Sequence, residues 1–184
     1  LDTSLQAFQS AGLEAVKLRS KATGVFTGSQ PSDFITPLPG HSIARAGASA
    51  LRVSGPHQNH DFACSSGYLA THHAMQAIDA GQCPAGAVVA GVSLLLKPDS
   101  ALGLYTMGIL SPSGRMRPFD VAADGMVWGE ASASLVLQLE DRSSCCSPVE
   151  GSAVSCNSAL SPSGFVDPGM IQQAAEQALD AAKV

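Results

Sequence analysis

A cysteine followed by two serines and a glycine is the clearest candidate in this sequence for covalent chemistry. The segment 61–67 reads Asp-Phe-Ala-Cys-Ser-Ser-Gly and lies between a predicted strand and a predicted helix. Cys64 is therefore expected at a helix N-terminus, where unpaired N–H groups and the helix dipole favour a thiolate. The same N–H groups can stabilise the oxyanion of a thioester carbonyl. The pattern predicts that Cys64 is a nucleophile for acyl transfer, with a buried, inert cysteine as the alternative.

A zinc site is the competing interpretation of this region. His57, His60 and Cys64 are close in sequence, and the adjacent pair His72 and His73 follows, then Cys83. Structural zinc usually takes two tight ligand pairs, and no Cys-x-x-Cys accompanies the first pair. Neighbouring side chains on a helix point in different directions, so the adjacent histidines do not easily join one site. Because no P-loop or dinucleotide fingerprint occurs either, we expect no metal and no cofactor.

Length, composition and charge exclude several classes of protein. The 184 residues suffice for one domain, at about 150 residues per domain. Apolar residues make up 45% of the chain and charged residues only 14%, against about 25% in typical proteins, which predicts a large buried core. Acidic residues outnumber basic ones by 15 to 10 without any dense basic cluster, which argues against nucleic-acid binding. The longest apolar stretch, residues 85–96, is too short for a bilayer span of about 20 residues.

The cysteine count and the first residues indicate the setting of the chain. Five cysteines, an odd number without disulfide-scaffold spacing, favour a reducing, intracellular compartment, so we expect a cytoplasmic protein. A plastid or other organelle stays open, because a targeting segment would precede Leu1. The sequence lacks an initiator methionine and starts with a helix-like pattern, which predicts a fragment of a longer protein.

Strands alternate with helices along most of the chain, and this order predicts α/β layers. The predicted strands cover residues 24–28, 57–62, 85–96, 131–139 and 149–156. The predicted helices cover the first residues up to Gly12, residues 42–53, the residues between Cys64 and Gly81, and those after Asp167.

Further patterns predict loops and buried helix faces. Residues 29–41 are predicted as a loop, and 97–130 as a long loop that is either functional or misassigned. The helix after Cys64 carries few charges on any side, which predicts that it is buried. Asp167 is the expected N-cap of the last helix, with Pro168 at its first position. The predicted buried stripe of that helix consists of Ile171, Ala174, Ala175, Ala178 and Leu179.

Several motifs resemble those of the β-ketoacyl synthases (ketosynthases) of polyketide and fatty-acid synthases, which have the thiolase fold. Residues 61–66 resemble the family's nucleophile motif, Asp-Thr-Ala-Cys-Ser-Ser, with Phe62 in place of threonine. Residues 108–115, Gly-Ile-Leu-Ser-Pro-Ser-Gly-Arg, resemble its Gly-Met-Leu-Ser-Pro-Asp-Gly-Arg loop. Arg-Pro-Phe-Asp at 117–120, Ala-Asp-Gly at 123–125 and a Gly-Glu pair follow in the family's order. With weaker likeness at both ends, the resemblance covers nearly the whole chain.

The resemblance implies an α/β fold of the thiolase-like, layered αβαβα type, present here only in part. Residues 1–142 would belong to the N-terminal half of a ketosynthase. Residues 149–184 would begin the C-terminal half, and the family's first strand would lie upstream. The resemblance also implies a homodimer.

The implied activity is a decarboxylative Claisen condensation. Cys64 would take an acyl group from the phosphopantetheine thioester of an acyl carrier protein, and a malonyl-type extender would then lose carbon dioxide and attack the Cys64 thioester. The family uses two histidines that lie downstream of the matched region, so none of the five histidines here receives that role. Two alternatives stay open: a non-catalytic ketosynthase-like fragment, and a cysteine acyltransferase that loads an acyl group without condensing it.

The charged residues of the predicted long loop suggest a structural role. Asp124 and Glu130 lie in one segment with Arg115 and Arg117. We expect the two carboxylates to brace this loop rather than to form an acid–base pair.

Overall fold

The structure is a computed structural model that describes residues 1–13, 22–29, 43–139, 147–156 and 167–183. The described helices are α1 (Asp2–Ser10), α2 (Ile43–Leu51), α3 (Ser66–Asp79), α4 (Pro98–Thr106) and α5 (Pro168–Ala182). The described strands are β1 (Gly24–Gly28), β2 (His57–His60), β3 (Ala87–Ser93) and β4 (Ala131–Leu137). The predicted loop 29–41 lies outside the described residues except for Ser29, and Cys145 and Cys146 lie outside them as well.

The four strands form one mixed sheet in the order β2-β1-β3-β4. β1 pairs in parallel with both β2 and β3, whereas β3 and β4 are antiparallel. All five residues of β1 are buried, as expected for a strand covered on both faces. The carboxyl ends of the three parallel strands therefore meet at one edge of the sheet, where the chain leaves β2 towards Cys64.

Helices cover both faces of the sheet, which confirms the predicted α/β layers. Val25 and Val88 face α1 and α2, together with Phe8, Ala44 and Ala48. The alternate residues face α3 on the other side, and this second cluster contains Phe26, Ala70, Ala74, Ala77, Cys83, Ala87 and Val89. Period-two alternation along the strands thus divides the core into two halves.

The prediction that the helix after Cys64 is buried is right for one face only. Ala70, Ala74 and Ala77 of α3 are buried against the sheet, whereas Tyr68 is 83% exposed. The small alanine side chains form the contact face because they let the helix backbone lie close to the strands. Gly81, with φ +70°, follows the end of the helix as expected.

The last helix begins as predicted but packs through a stripe that matches the predicted one only in part. The Asp167 carboxylate accepts a hydrogen bond from Gly169 N at 2.9 Å, which confirms it as the N-cap. The predicted stripe was wrong in part, since Ile171 and Leu179 are more than half exposed. The half-buried row has a strict four-residue spacing and consists of Met170, Ala174, Ala178 and Ala182.

For the long stretch 97–130, the structure supports the alternative that it was partly misassigned as a loop, and one further prediction was wrong. Residues 97–130 are not all loop, because α4 occupies Pro98–Thr106, with a proline in its first turn and Asp99 beside it. Residues 149–156 form no strand. This segment lies against helices instead, where the Ser155 hydroxyl donates to the Met170 carbonyl at 2.7 Å. Among the described residues, no helix is long and apolar enough to cross a membrane.

Candidate active site

Cys64 lies on a tight turn between β2 and α3, as the sequence predicted. The cysteine is an exposed thiol one residue before Ser65, the N-cap of α3. Ala63 has φ +48°, a left-handed conformation that is costly for a residue with a side chain. Ser65 N–H donates to the Phe62 carbonyl at 3.1 Å, and Ser66 N–H donates to Ala63 O at 3.1 Å. The turn therefore presents the sulfur outward while its own backbone is held by hydrogen bonds.

The Ser66 hydroxyl closes this turn from the inside. It accepts a hydrogen bond from Phe62 N–H at 2.8 Å and donates to Ala63 O at 2.7 Å, with Ser29 O at 3.2 Å as a second acceptor. Ser66 is only 4% exposed, so these bonds are sheltered from water. Ser66 thus links the residues on both sides of the turn and the end of β1, which fixes where Cys64 lies.

We expect Ser66→Ala to destabilise the protein by about 1–2 kcal/mol, because the buried turn loses its closing hydrogen bonds. The rate of Cys64 acylation is expected to fall as well, since the turn that positions the sulfur loosens. Urea unfolding and an acylation time course measure the two effects.

Ser65→Ala is the matched control, because Ser65 makes no side-chain capping bond to α3. Its unfolding free energy should stay within about 0.5 kcal/mol of the unsubstituted protein. Equal effects of the two substitutions would show that the Ser66 bonds do not hold the turn.

A cavity of about 630 Å³ opens beside Cys64. This volume lies within the range of about 300–1,000 Å³ that is usual for small-molecule sites. Its lining comes from the ends of β1 and β3, from β4, from the turn and from α4, and consists of Gly28, Ser29, Ile43, Ala63, Cys64, Ser66, Gly67, Gly91, Val92, Ser93, Leu94, Leu96, Ser100, Leu104, Trp128, Ala131 and Ala133. None of these described residues is charged. The cavity therefore suits an uncharged, mainly apolar group attached to or approaching the sulfur.

Asp124 organises the segment after α4, as its predicted bracing role requires. The Ser111 hydroxyl donates to Asp124 Oδ1 at 2.6 Å, and Arg117 Nη1 lies 3.9 Å from Asp124 Oδ2. The hydrogen bonds from Ser111 and Ser113, together with the charge of Arg117, lower the pKa of the exposed Asp124 carboxyl. Asp124 is therefore a structural acceptor in this segment.

Glu130 also braces the segment, but through a backbone amide. Its Oε1 accepts a hydrogen bond from Leu95 N–H at 2.8 Å. This bond joins the residues that follow β3 to those that precede β4. Leu94, Leu96 and Trp128 line the cavity in the same two stretches, so Glu130 holds one wall of the cavity together.

Three of the histidines weighed as zinc ligands cluster away from the cavity. The rings of His60 and His73 are 4.7 Å apart, and His72 Nδ1 lies 2.8 Å from Ser152 Oγ. His60 is 7% exposed, and its Nε2 has no hydrogen-bond partner among the described residues. In the described part of the chain, no group of three or more histidine, cysteine or acidic side chains could hold a metal ion.

We expect stability to fall as the pH drops below about 6.5. Burial, and then the neighbouring charge of His73, lower the pKa of His60 and of His72 below the ordinary 6.5. The unfolded chain therefore binds more protons than the folded one in mildly acidic solution, and protonation favours unfolding. Urea midpoints measured between about pH 7.5 and pH 5.5 test this.

His73→Leu should weaken this acid sensitivity, because it removes the charge that disfavours protonation of both neighbours. His57→Gln is the control, since His57 is exposed at the start of β2. A urea midpoint that stays constant across this pH range in the unsubstituted protein would contradict the expectation.

Comparison with known proteins places the chain in a family. The family model described as "Beta-ketoacyl synthase, N-terminal domain" matches residues 1–142. The chain belongs to the β-ketoacyl synthase family. The match includes the Cys64 turn and all the residues that line the cavity. The expected boundary between residues 1–142 and 149–184 stays a prediction.

The relatives of this β-ketoacyl synthase chain include much longer proteins. It is 39% identical over 153 residues to the phthioceranic/hydroxyphthioceranic acid synthase of Mycobacterium tuberculosis (strain H37Rv), covering 75% of the chain and 7% of that protein. It is 33% identical over 198 residues to polyketide synthase GfsA of Streptomyces halstedii, covering 95% of the chain and 3% of that protein. The chain thus spans less than a tenth of the length of these relatives.

Solved ketosynthases confirm the thiolase-like fold class. The ketosynthase from module 6 of the bacillaene synthase of Bacillus subtilis 168 is 37% identical, with a TM-score of 0.67 over 74% of this chain and 25% of that one. The oxazolomycin ketosynthase domain OzmH KS7 of Streptomyces albus JA3453 is 27% identical, with a TM-score of 0.84 over the whole chain and 36% of that domain. This chain therefore shares their fold over the part that it spans.

Sequence reasoning found Cys64 but missed the residues that position it and shape the cavity. Ser66 fixes the turn that carries Cys64, and Gly28 and Gly91 line the cavity. The available signal was the glycine at or near the end of each apolar strand, which often marks a close approach of backbone or ligand. The sequence does not show whether a given glycine makes room for a neighbouring backbone segment or for a ligand.

Proposed function

We propose that the protein acts as a β-ketoacyl-[acyl-carrier-protein] synthase in polyketide biosynthesis, with Cys64 as its nucleophile. The observation that carries the proposal is the exposed thiol on a strained turn, at the side of a cavity whose described lining is uncharged. Such a site holds a thioester-linked acyl group and keeps charged competitors out. The relative GfsA of Streptomyces halstedii is named a polyketide synthase, which favours polyketide over fatty-acid chemistry.

In the first step, Cys64 accepts the acyl group. The sulfur attacks the carbonyl of a carrier-bound thioester, the bond to the carrier's sulfur breaks, and the proton from Cys64 ends on the departing thiol. The N–H groups of Ser65 and Ser66 are used within the turn, so the positive end of the α3 dipole next to Cys64 favours the developing oxyanion. The product is an acyl-Cys64 thioester lying in the cavity.

In the second step, a malonyl-type thioester loses carbon dioxide, and the carbanion attacks the acyl-Cys64 carbonyl. A carbon–carbon bond forms, the carbon–sulfur bond to Cys64 breaks, and the β-ketoacyl product leaves on the carrier. None of the described histidines lines the cavity, so the proposal assigns none of them to decarboxylation. The acyl groups travel on the phosphopantetheine of an acyl carrier protein, and the proposed enzyme is a cytoplasmic homodimer that needs no metal.

The acylation step is tested by incubating the purified protein with an octanoyl N-acetylcysteamine thioester and mapping the modified peptide by mass spectrometry. We expect the octanoyl group on Cys64. No acylation at Cys64 would overturn the proposal and favour a non-catalytic ketosynthase-like protein.

Because the family's two histidines lie downstream of the matched region, the condensation step is tested in the full-length natural protein. A malonyl thioester of a carrier protein is added after Cys64 has been acylated. Release of carbon dioxide together with a β-ketoacyl product supports the proposal. Acylation of Cys64 without carbon dioxide release would overturn it in favour of a cysteine acyltransferase that only loads the thiol.

A further inference from the structure

Side-chain size falls abruptly along the sheet face that carries α3. Phe26 of β1 is paired with Val89 of β3, and both side chains are buried under the helix. Two residues further along each strand, the paired residues are Gly28 and Gly91. On β4 the partner of Gly91 is Ala133. The row nearest to the Cys64 turn thus contains almost no side-chain atoms.

The two glycines of this row have different surroundings. A Cβ atom at Gly28 would lie 2.5 Å from Gly67 N and 2.6 Å from the Ser66 carbonyl carbon, so the space there is filled by the start of α3. Among the residues that the structure describes, a Cβ atom at Gly91 would meet nothing within 4 Å, and Gly91 lines the cavity. The missing side chain at Gly91 therefore leaves open space in the cavity and serves no packing contact.

The walls around this open space are apolar. Leu94 and Leu96 follow β3, Leu104 comes from α4, and Trp128 precedes β4. Ala133 continues the floor beyond Gly91, and its side chain is equally small. A group that extends from Cys64 across Gly91 therefore meets hydrocarbon and backbone, which suits an alkyl chain and disfavours a charged one.

We propose that Gly91 is a specificity-determining residue, whose missing side chain lets long apolar acyl groups on Cys64 extend over the sheet towards Ala133. This inference rests on the proposed function. A side chain at position 91 projects into the path of the chain, because position 91 faces the same side of the sheet as Gly28. An acetyl group carries no alkyl chain beyond its methyl group, so we expect a substitution there to select against long chains only.

The experiment compares Gly91→Val with Gly103→Val, using acetyl and octanoyl N-acetylcysteamine thioesters as probes. Gly103 is the matched control, because a Cβ there also meets nothing within 4 Å but the residue, on α4, does not line the cavity. We expect Gly91→Val to lower the ratio of octanoyl to acetyl acylation rates at Cys64 by at least about tenfold. Gly103→Val should leave this ratio unchanged.

Gly91→Ala is the second variant. We expect it to lower the octanoyl-to-acetyl ratio by a smaller factor, and it provides the test if the valine variant does not fold. An unchanged ratio in a folded Gly91 variant that still acylates Cys64 would overturn the inference and leave the proposed function intact. If the unsubstituted protein accepts neither thioester on Cys64, the proposed function fails and the inference fails with it. The two failures are therefore distinguishable.

Discussion

Cys64→Ala is expected to lower acyl transfer by at least about a thousandfold, since removal of a covalent nucleophile leaves only the binding contribution of the site. The loss should affect acetyl and octanoyl thioesters alike, because the sulfur forms the bond in both cases. Cys64 is exposed, so the free energy of unfolding should change by less than about 0.5 kcal/mol. Intact-protein mass spectrometry and urea unfolding measure the two quantities.

Cys156→Ser is the matched control, because Cys156 is also an exposed thiol but lies outside the family match and the cavity. Acylation of the Cys156→Ser protein should proceed at the unsubstituted rate. If the Cys64→Ala protein were still acylated and the Cys156→Ser protein were not, the nucleophile would be Cys156 and not Cys64.

Gly28→Ala is expected to destabilise the protein by about 2–3 kcal/mol and to slow acylation of Cys64. The added Cβ would lie 2.5 Å from Gly67 N and 2.8 Å from Gly67 Cα. These are backbone atoms of a helix held against the sheet by buried alanines, so they cannot move without loss of packing. The clash lifts the start of α3 and with it the turn that presents Cys64.

Gly91→Ala is the control for the effect of Gly28→Ala on stability, because Gly91 pairs with Gly28 in the same row and its Cβ meets nothing. Its unfolding free energy should stay equal to that of the unsubstituted protein or rise slightly, since alanine restricts the unfolded chain more than glycine does. Similar urea midpoints for the two alanine variants would contradict the close contact between β1 and α3.

The candidate nucleophile could be predicted from the sequence because its signal is local. A strand, a cysteine and a helix follow one another within residues 57–79, and the structure keeps this order. The N-cap at Asp167 was predictable for the same reason, since an N-cap bond joins residues two or three positions apart. The bracing role of Asp124 was also confirmed, through a neighbour within the same segment.

The failed predictions concern contacts between distant segments. Residues 149–156 have strand-like composition, but they lie against helices. Ser155 donates to the Met170 carbonyl of α5, and Ser152 Oγ lies 2.8 Å from His72 Nδ1 of α3. In α5, the row that starts at Met170 is half-buried, whereas the larger Ile171 is exposed. Spacing within a helix shows that a stripe exists, but the segment that covers the helix decides which stripe is buried. In α3 the alanines form the buried face because their small side chains allow close approach to the sheet.

The sequence by itself predicted Cys64 as the candidate nucleophile, the alternation of strands and helices, and the family resemblance that the comparisons confirmed. Only the tertiary structure decided what surrounds the sulfur. Gly28 and Gly91 each lie near the end of an apolar strand, and nothing local separates them. In the folded chain Gly28 accommodates the start of α3, and Gly91 opens the cavity. This is because strand pairing places the helix over β1 and leaves the paired position on β3 uncovered by the described residues.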